Sequence, residues 1–348
     1  MNPIKNYLDA LIANNGSDLH ISAGDTPLVR IAGELIPLTN FDVPTNEDIT
    51  GLLREMLTEK MLQDFADNFE KDFSYDYEGS RIRGNAYVQK GKYALSLRLI
   101  PKVKSLAELA LPKILNDFAM ARQGFFLVVG PVGQGKSTTL ASMIEIINQN
   151  RAAHIITIED PAEYTFESKK SLIHQREVGI DTKDFETALK NVFREDVNVI
   201  LVGEMRSHET MATAVTAAET GHLVFSTMHT NNAAQSIDRI IDSFPPNQQD
   251  QIRSQLASSL LGIFSQRLVP KIGGGRVPAY ELLINNNAIA NLIREKRTHE
   301  LNIVIETSLE QGMVDLNRSL IELIKMGQIT IDNAILYSNN PKALRQLI

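Results

Sequence analysis

Cysteine is absent from all 348 residues. That excludes disulfides, thiol nucleophiles, iron–sulfur clusters and Cys-ligated zinc together, so any chemistry rests on hydroxyls, carboxylates, amines or imidazoles. Positive charge is in deficit: 35 Lys and Arg against 42 Asp and Glu give a net charge of −7. A field of that sign repels a phosphate backbone, and no nucleic acid partner is expected. No apolar run reaches the ~18 residues of a membrane span, and Asp9 interrupts the opening stretch where a signal peptide needs unbroken apolar residues. These absences predict a cytoplasmic protein whose attachment to any membrane goes through partners. What is present is ordinary for a globular protein, 43% hydrophobic and 22% charged residues, in a length that at about 150 residues per domain suggests two domains.

The first hundred residues read as a small α/β domain. Ile4, Leu8, Leu11 and Ile12 recur on one helical face, and Asn15-Gly16 ends that helix. Short β-rich pieces follow at 19–22 and 29–31, and two helical stretches fill roughly 46–67. Three alternating patterns then predict strands: Phe73, Tyr75 and Tyr77; Ile82, Ala86 and Val88; Leu95, Leu97 and Leu99. Side chains two apart share a face, so Arg81, Arg83 and Arg98 mark an arginine-bearing side of this sheet, for which a solvated face is the plain reading. Residues 101–112, bounded by Pro101 and Pro112, read as a connector between a domain at 1–100 and a second at 113–348. From 113 onward, apolar runs at 125–129, 154–158, 199–202 and 223–226 alternate with helical patterns, the signature of a parallel sheet covered on both faces. Gly273-Gly274-Gly275 predicts a flexible loop before a short strand.

Gly130-Pro131-Val132-Gly133-Gln134-Gly135-Lys136-Ser137 fits the P-loop pattern. Glycines there let backbone N–H groups converge on phosphate oxygens, while the following helix, marked by Leu140, Met143, Ile144 and Ile147, adds its positive N-terminus. In this reading Lys136 holds the β and γ phosphates of ATP, Ser137 ligates Mg²⁺ and Thr138 donates to a phosphate.

Acidic residues follow two later strands: Glu159-Asp160-Pro161-Ala162-Glu163, and Glu204 after Gly203. Ligands of open α/β sheets sit beyond the carboxyl ends of the strands, so both groups are expected at the nucleotide. Glu204 stands where a Walker B acid polarises water or reaches Mg²⁺; Glu159, Asp160 or Glu163 orients or deprotonates the attacking water. The choice of general base between Glu163 and Glu204 stays open, and the plain alternative is that these acids cap helices or turns. His222 and His229 bracket the strand at 223–226, roughly 20 Å apart at ~3.3 Å per residue, and cannot chelate one metal. His229, at the carboxyl end, is a candidate γ-phosphate sensor, and Arg194 and Arg206 are candidate charge stabilisers.

With these elements in order, the chain resembles the type IV pilus retraction ATPases, the PilT family of the secretion ATPase superfamily. The resemblance rests on Gly16-Ser17-Asp18-Leu19-His20 and Gly33-Glu34-Leu35, the P-loop, Ile158-Glu159-Asp160-Pro161-Ala162-Glu163, Val202-Gly203-Glu204-Met205-Arg206 and the stretch from Gly221-His222 to Met228-His229-Thr230. Residues 288–295, Ala-Ile-Ala-Asn-Leu-Ile-Arg-Glu, look like the family's retraction signature, which usually has Arg at the position of Ala290. Further departures are Val132 and Gln134, usually Thr and Ser, and Val197-Asn198, usually Pro-Asp. The resemblance implies an α/β chain with an N-terminal PAS-like domain followed by a RecA-like P-loop NTPase domain with a C-terminal helical region. It further implies a homohexamer that hydrolyses ATP to power pilus retraction, with nucleotide bound between the two domains. Its partners would be an inner-membrane pilus platform protein and a paralogous retraction ATPase, and its location cytoplasmic, peripheral to the inner membrane. On that pattern Arg81, Arg83 and Arg98 contact the nucleotide's phosphates, and residues 288–295 couple the motor to its task through the stripe of Ile289, Leu292 and Ile293. Competing readings are an accessory paralogue, a DNA-translocating hexamer, against which the acidic charge argues, and a nucleotide-binding regulatory subunit without useful turnover.

Overall fold

Alternation of apolar and polar residues builds a six-stranded antiparallel sheet in the first of two units, Met1–Lys102 and Val103–Ile348. The computed structural model describes every residue except Met1, Asn2, Ala32 and Pro101. In the first unit α1 (Ile4–Ala13), α2 (Asn46–Met56) and α3 (Glu59–Asn68) accompany β1 (Asp18–Ser22), β2 (Leu28–Ile31), β3 (Glu34–Pro37), β4 (Glu70–Tyr77), β5 (Ser80–Gln89) and β6 (Lys92–Ile100), in the sheet order β3-β2-β1-β6-β5-β4. The face of α1 that packs inward is Ile4, Tyr7, Leu8 and Leu11, while Ile12, expected among them, is exposed. Thr45 and Asp48 form a capping box that starts α2. β3, unanticipated from the sequence, is exposed along its whole length and so carries no burial pattern to read.

Cross-strand register puts Arg83 opposite Arg98 and Arg81 opposite Ile100, on the face away from buried Ile82 and Ala86. The arginines therefore share a face. Arg98 is ion-paired at 2.7 Å with Asp18, its register partner on β1, and Arg81 at 3.2 Å with Asp76. Burial opposes ionisation of Asp18, but hydrogen bonds from Arg98 and Ser17 outweigh it and hold the carboxyl below the usual range.

The second unit contains α4 (Leu115–Ala119), β7 (Gly124–Val129), α5 (Lys136–Asn150), β8 (His154–Glu159), β9 (Leu172–Glu177), α6 (Phe185–Val192), β10 (Val199–Val202), α7 (His208–Glu219) and β11 (Leu223–Met228). It continues through α8 (Ala233–Asp242), α9 (Pro246–Ser259), β12 (Leu260–Pro270), β13 (Arg276–Ile284), α10 (Asn287–Arg294), α11 (Leu301–Thr307), α12 (Leu316–Lys325), α13 (Ile331–Tyr337) and α14 (Pro341–Leu347). The sheet order is β13-β12-β7-β11-β10-β8-β9, parallel throughout except for the β12–β13 hairpin. Alternate residues of β7 enter opposite cores: Phe125, Leu127 and Val129 pack with α6 to α10, Phe126 and Val128 with α4 and α5. Burial on both faces is why these strands read as unbroken apolar runs.

From Val103 on, the expected connector is part of the second unit, and Leu106 and Leu111 are buried in its core; Pro101 lies outside the described residues. The three glycines at 273–275 turn the β12–β13 hairpin at φ 87°, 104° and 76°, and the strand beyond them is nine residues long rather than short. The stripe on α10 differs from the coupling surface expected of it. Ile289, Leu292 and Ile293 are buried in the same core as α7 and α9, because α9 lies directly over them. Among the described residues no helix is long and apolar enough to cross a membrane.

Candidate active site

The P-loop leaves the carboxyl end of β7, buried along its whole length, and enters α5. Gly130 passes so close to β12 that an added Cβ would stand 2.5 Å from the Gln266 carbonyl oxygen. Gly135 precedes α5 at φ 81°, in the left-handed region where glycine is unstrained. Around this loop a cavity of about 520 Å³ opens at the carboxyl ends of the parallel strands. Val132, Gly133, Gln134, Gly135, Lys136, Ser137 and Thr138 line one side. Glu159, Asp160 and Glu163 after β8, Glu204 and Arg206 after β10, and His229 after β11 line the other. Gly130, at the root of the loop, lies just behind this wall.

Lys136 is buried. Its ammonium donates to the carbonyls of Gly130 (2.8 Å) and Pro131 (2.9 Å) and meets His229 Nδ1 at 3.2 Å. Burial pulls its pKa down to about 8, against the opposing charges of Glu163 and Glu204. Burial, Lys136 and Arg206 likewise hold His229 below the usual imidazole range. A neutral ring that accepts from Lys136 at Nδ1 carries its proton on Nε2, which stands 3.7 Å from Glu204 Oε2. The Glu204 carboxylate is also ion-paired with Arg206, whose second nitrogen lies 3.9 Å from Asp160. Glu159 is set deeper. Burial pushes its pKa up to about 7, although the Thr157 hydroxyl donates to it at 2.7 Å and the Gln175 amide at 3.4 Å. These separations put cation, imidazole and carboxylates around one cavity large enough for a nucleotide's phosphates, an arrangement that can bind polyphosphate and accept a proton from water.

Two of the singled-out residues sit elsewhere. Arg194 follows α6, is exposed, and lies by Glu195 and Asn198 at the amino ends of β8 and β10. Because the active site occupies the opposite ends of those strands, Arg194 cannot serve the cavity of its own chain. His222, before β11, lies at that remote edge too, bonded through Nδ1 to the Ala217 carbonyl and edge-on to Phe193. Arg81, Arg83 and Arg98 belong to the first unit, where they share the face described above.

Sequence reading missed β12. Its side chain at Gln266 accepts from Thr139 Oγ1 at 2.6 Å and donates to the Gln134 carbonyl at 2.8 Å. Gln134 in turn accepts the Leu268 N–H at 2.6 Å, so this departure from the family pattern straps the P-loop to β12. Arg267 donates to Asn231, Arg276 to the Gly133 carbonyl at 3.3 Å, and Tyr164 shares a hydrogen bond with Thr138 at 2.8 Å. The one signal available was the run Ser265-Gln266-Arg267 set between apolar neighbours, three polar residues buried together.

Residues 104–275 match the family described as Type II/IV secretion system protein. The chain is 43% identical to the type IV pilus retractation ATPase PilT of Pseudomonas aeruginosa over 320 residues, 91% of this chain and 93% of that protein. It is 40% identical to the type IV pilus ATPase PilU of the same organism over 98% of this chain and 90% of that one. A crystal structure of the pilus retraction motor PilT with bound ADP superposes with a TM-score of 0.92 at 47% identity, over 99% of this chain and 100% of that one.

Proposed function

The chain belongs to the PilT family of type IV pilus retraction ATPases and is itself a P-loop ATPase, and on that footing we propose that it works as a homohexameric motor whose ATP hydrolysis drives pilus retraction. The observation that carries the proposal is the convergence of Lys136, Glu204 and His229 on one cavity floored by the P-loop.

Backbone N–H groups of the P-loop and the N-terminus of α5 take the phosphates, and the Lys136 ammonium moves from its two carbonyl partners to the β and γ oxygens. Mg²⁺ suits the oxygen donors that face the cavity. Ser137 and Glu204 would hold it, together with the substrate's phosphates, as Mg²⁺ is commonly bound through one or two protein oxygens. Bound there, the ion would supply charge that neutralises the transferring phosphate. The proton of the attacking water passes to Glu163 or Glu204, while buried Glu159 and the exposed Asp160 help orient that water. His229, donating through Nε2, reports the γ-phosphate to Lys136 and Glu204. Arg81, Arg83 and Arg98 add positive charge to the nucleotide in the working hexamer. The motor docks on an inner-membrane platform protein from the cytoplasmic side.

A deletion strain tests the function. Hyperpiliated, non-motile cells rescued by the parent gene but not by Lys136→Ala support retraction; bald cells overturn it. The accessory reading, for which similarity to PilU speaks, predicts rescue only when a paralogous retraction ATPase is also present.

A further inference from the structure

At the amino ends of the parallel strands, the sheet edge remote from the nucleotide cavity, a second recess of about 440 Å³ is lined by Met120, Arg122, Arg151, Asn198 and Gly221. Its parts come from the far ends of elements that serve the active site. Arg122 precedes β7, which runs into the P-loop, and Arg151 follows α5, which starts at Lys136. Asn198 precedes β10, which ends beside Glu204, and Gly221 precedes β11, which ends beside His229. The 15 residues of α5 put about 22 Å between the two cavities, at about 1.5 Å per residue.

The recess presents donors and no acid. Arg151 is half-buried and gives one N–H to the Ala121 carbonyl at 2.7 Å, while Arg122 is exposed; neither has a carboxylate partner among the described residues. The Asn198 amide oxygen is taken by the His154 N–H at 2.8 Å, which leaves its NH₂ to donate. Burial and the like charge of Arg122 hold the Arg151 guanidinium below the usual arginine range, a cost that a bound anion relieves.

We propose that this recess binds a small phosphate-bearing ligand. Two guanidiniums and an amide match the charge and acceptor count of a phosphate dianion, whereas a single carboxylate would leave one positive charge uncompensated. The volume exceeds that of a bare phosphate and falls in the range of small-molecule sites, which points to a phosphomonoester or diphosphate.

Titration calorimetry of the full chain, saturated with ADP so that the P-loop is filled, against inorganic phosphate and pyrophosphate is the test. One saturable site is expected, tighter for pyrophosphate, weakened about tenfold or more by Arg122→Ala and abolished by Arg122→Glu. Arg122 is exposed and holds no ion pair, so these variants fold, and their ADP affinity stays at the parent value. Arg151→Lys, which keeps the charge and loses the planar fork, gives intermediate affinity. The proposal is overturned if neither anion binds, or if Arg122→Glu binds them as the parent does. It is overturned as well if the anions are ignored while Arg122→Glu dissociates the assembled protein in light scattering, which would assign the recess to a neighbouring subunit's carboxylate.

Discussion

Truncating Gln266 to alanine isolates what β12 does for the P-loop. The side chain is almost wholly buried and makes two hydrogen bonds, accepting from Thr139 Oγ1 at 2.6 Å and donating to the Gln134 carbonyl at 2.8 Å. The carbonyl borders the cavity, where water can replace the lost donor, so its loss costs about 1 kcal/mol. The Thr139 hydroxyl is buried, and its orphaning costs about 1 to 2 kcal/mol, tempered by the helix carbonyl one turn back. Total destabilisation is therefore about 2 to 3 kcal/mol, which leaves a domain of ordinary stability folded. One strap survives, because Gln134 Oε1 still accepts from Leu268 N–H. The loop must then be ordered by the nucleotide. If about 1.4 kcal/mol of the loss falls on that ordering, KM for ATP rises about tenfold, while kcat stays near the parent value because Lys136 and Glu204 are untouched. Gln266→Glu keeps the acceptor for Thr139 but buries a carboxylate against the Gln134 carbonyl, so it should raise KM and cost at least as much stability as the alanine. Steady-state phosphate release across ATP concentrations, paired with calorimetric melting, reads both quantities. A Gln266→Ala protein that melts earlier with an unchanged KM would refute the reasoning, since the residue would then be only a core contact.

Lys136→Ala should lose nucleotide affinity and turnover by about 10²-fold or more, whereas Glu204→Gln should bind ATP and stall; equilibrium binding with phosphate release separates the two, and parental hydrolysis by Glu204→Gln would remove that carboxylate from the site. In the first unit Arg98→Ala strips the partner from nearly buried Asp18 and should cost stability as well as turnover, while Arg83→Ala, with no ion pair among the described residues, should cost turnover alone; melting and ATPase assays would expose the reverse pattern. Leu292→Ala with Ile293→Ala empties two core positions at about 2 to 4 kcal/mol each, so hexamers and ATPase should fail together in size exclusion and phosphate release, and a folded, hydrolysing, non-retracting double variant would restore the coupling reading. Glu281 is buried with its pKa pushed up to about 7 by burial, so the native state binds the extra proton and stability falls as pH rises from about 4.5 through 7. Glu281→Gln, which keeps the acceptor for the Ala233 N–H, should flatten that slope and gain up to about 3 kcal/mol at pH 8 in urea melts; equal slopes would contradict it.

The convergence of the candidate site's residues on one cavity was largely legible because its signals are local. The P-loop is a contiguous pattern, and Glu159, Glu204 and His229 each stand directly after an apolar run, so chain direction alone assigns them to one edge. The β12 strand was illegible for the opposite reason. Its buried Ser265, Gln266 and Arg267 are satisfied by Asn231, Thr139 and Gln134, partners between 34 and 132 residues away in sequence, and no window around the strand contains them. Nor does spacing say what covers an apolar stripe. Ile289, Leu292 and Ile293 read identically whether solvent, a partner or α9 lies above them.

The same directional rule extends to Arg194. In a parallel sheet a residue that follows a strand faces the ligand, and a residue that precedes one faces the other edge, about 13 Å away across a four-residue strand at ~3.3 Å per residue. Arg194, Asn198 and His222 all precede strands, as do Arg122 and Arg151. Their order in the chain thus keeps them from the cavity of their own chain and sets them toward the amino-end edge of the sheet. There Arg122 and Arg151 line the second recess without carboxylate partners among the described residues. If the recess of Arg122 and Arg151 takes its anion, affinity there rests on side-chain charge alone, because the strand-end rule that places ATP by the P-loop does not extend to the amino ends.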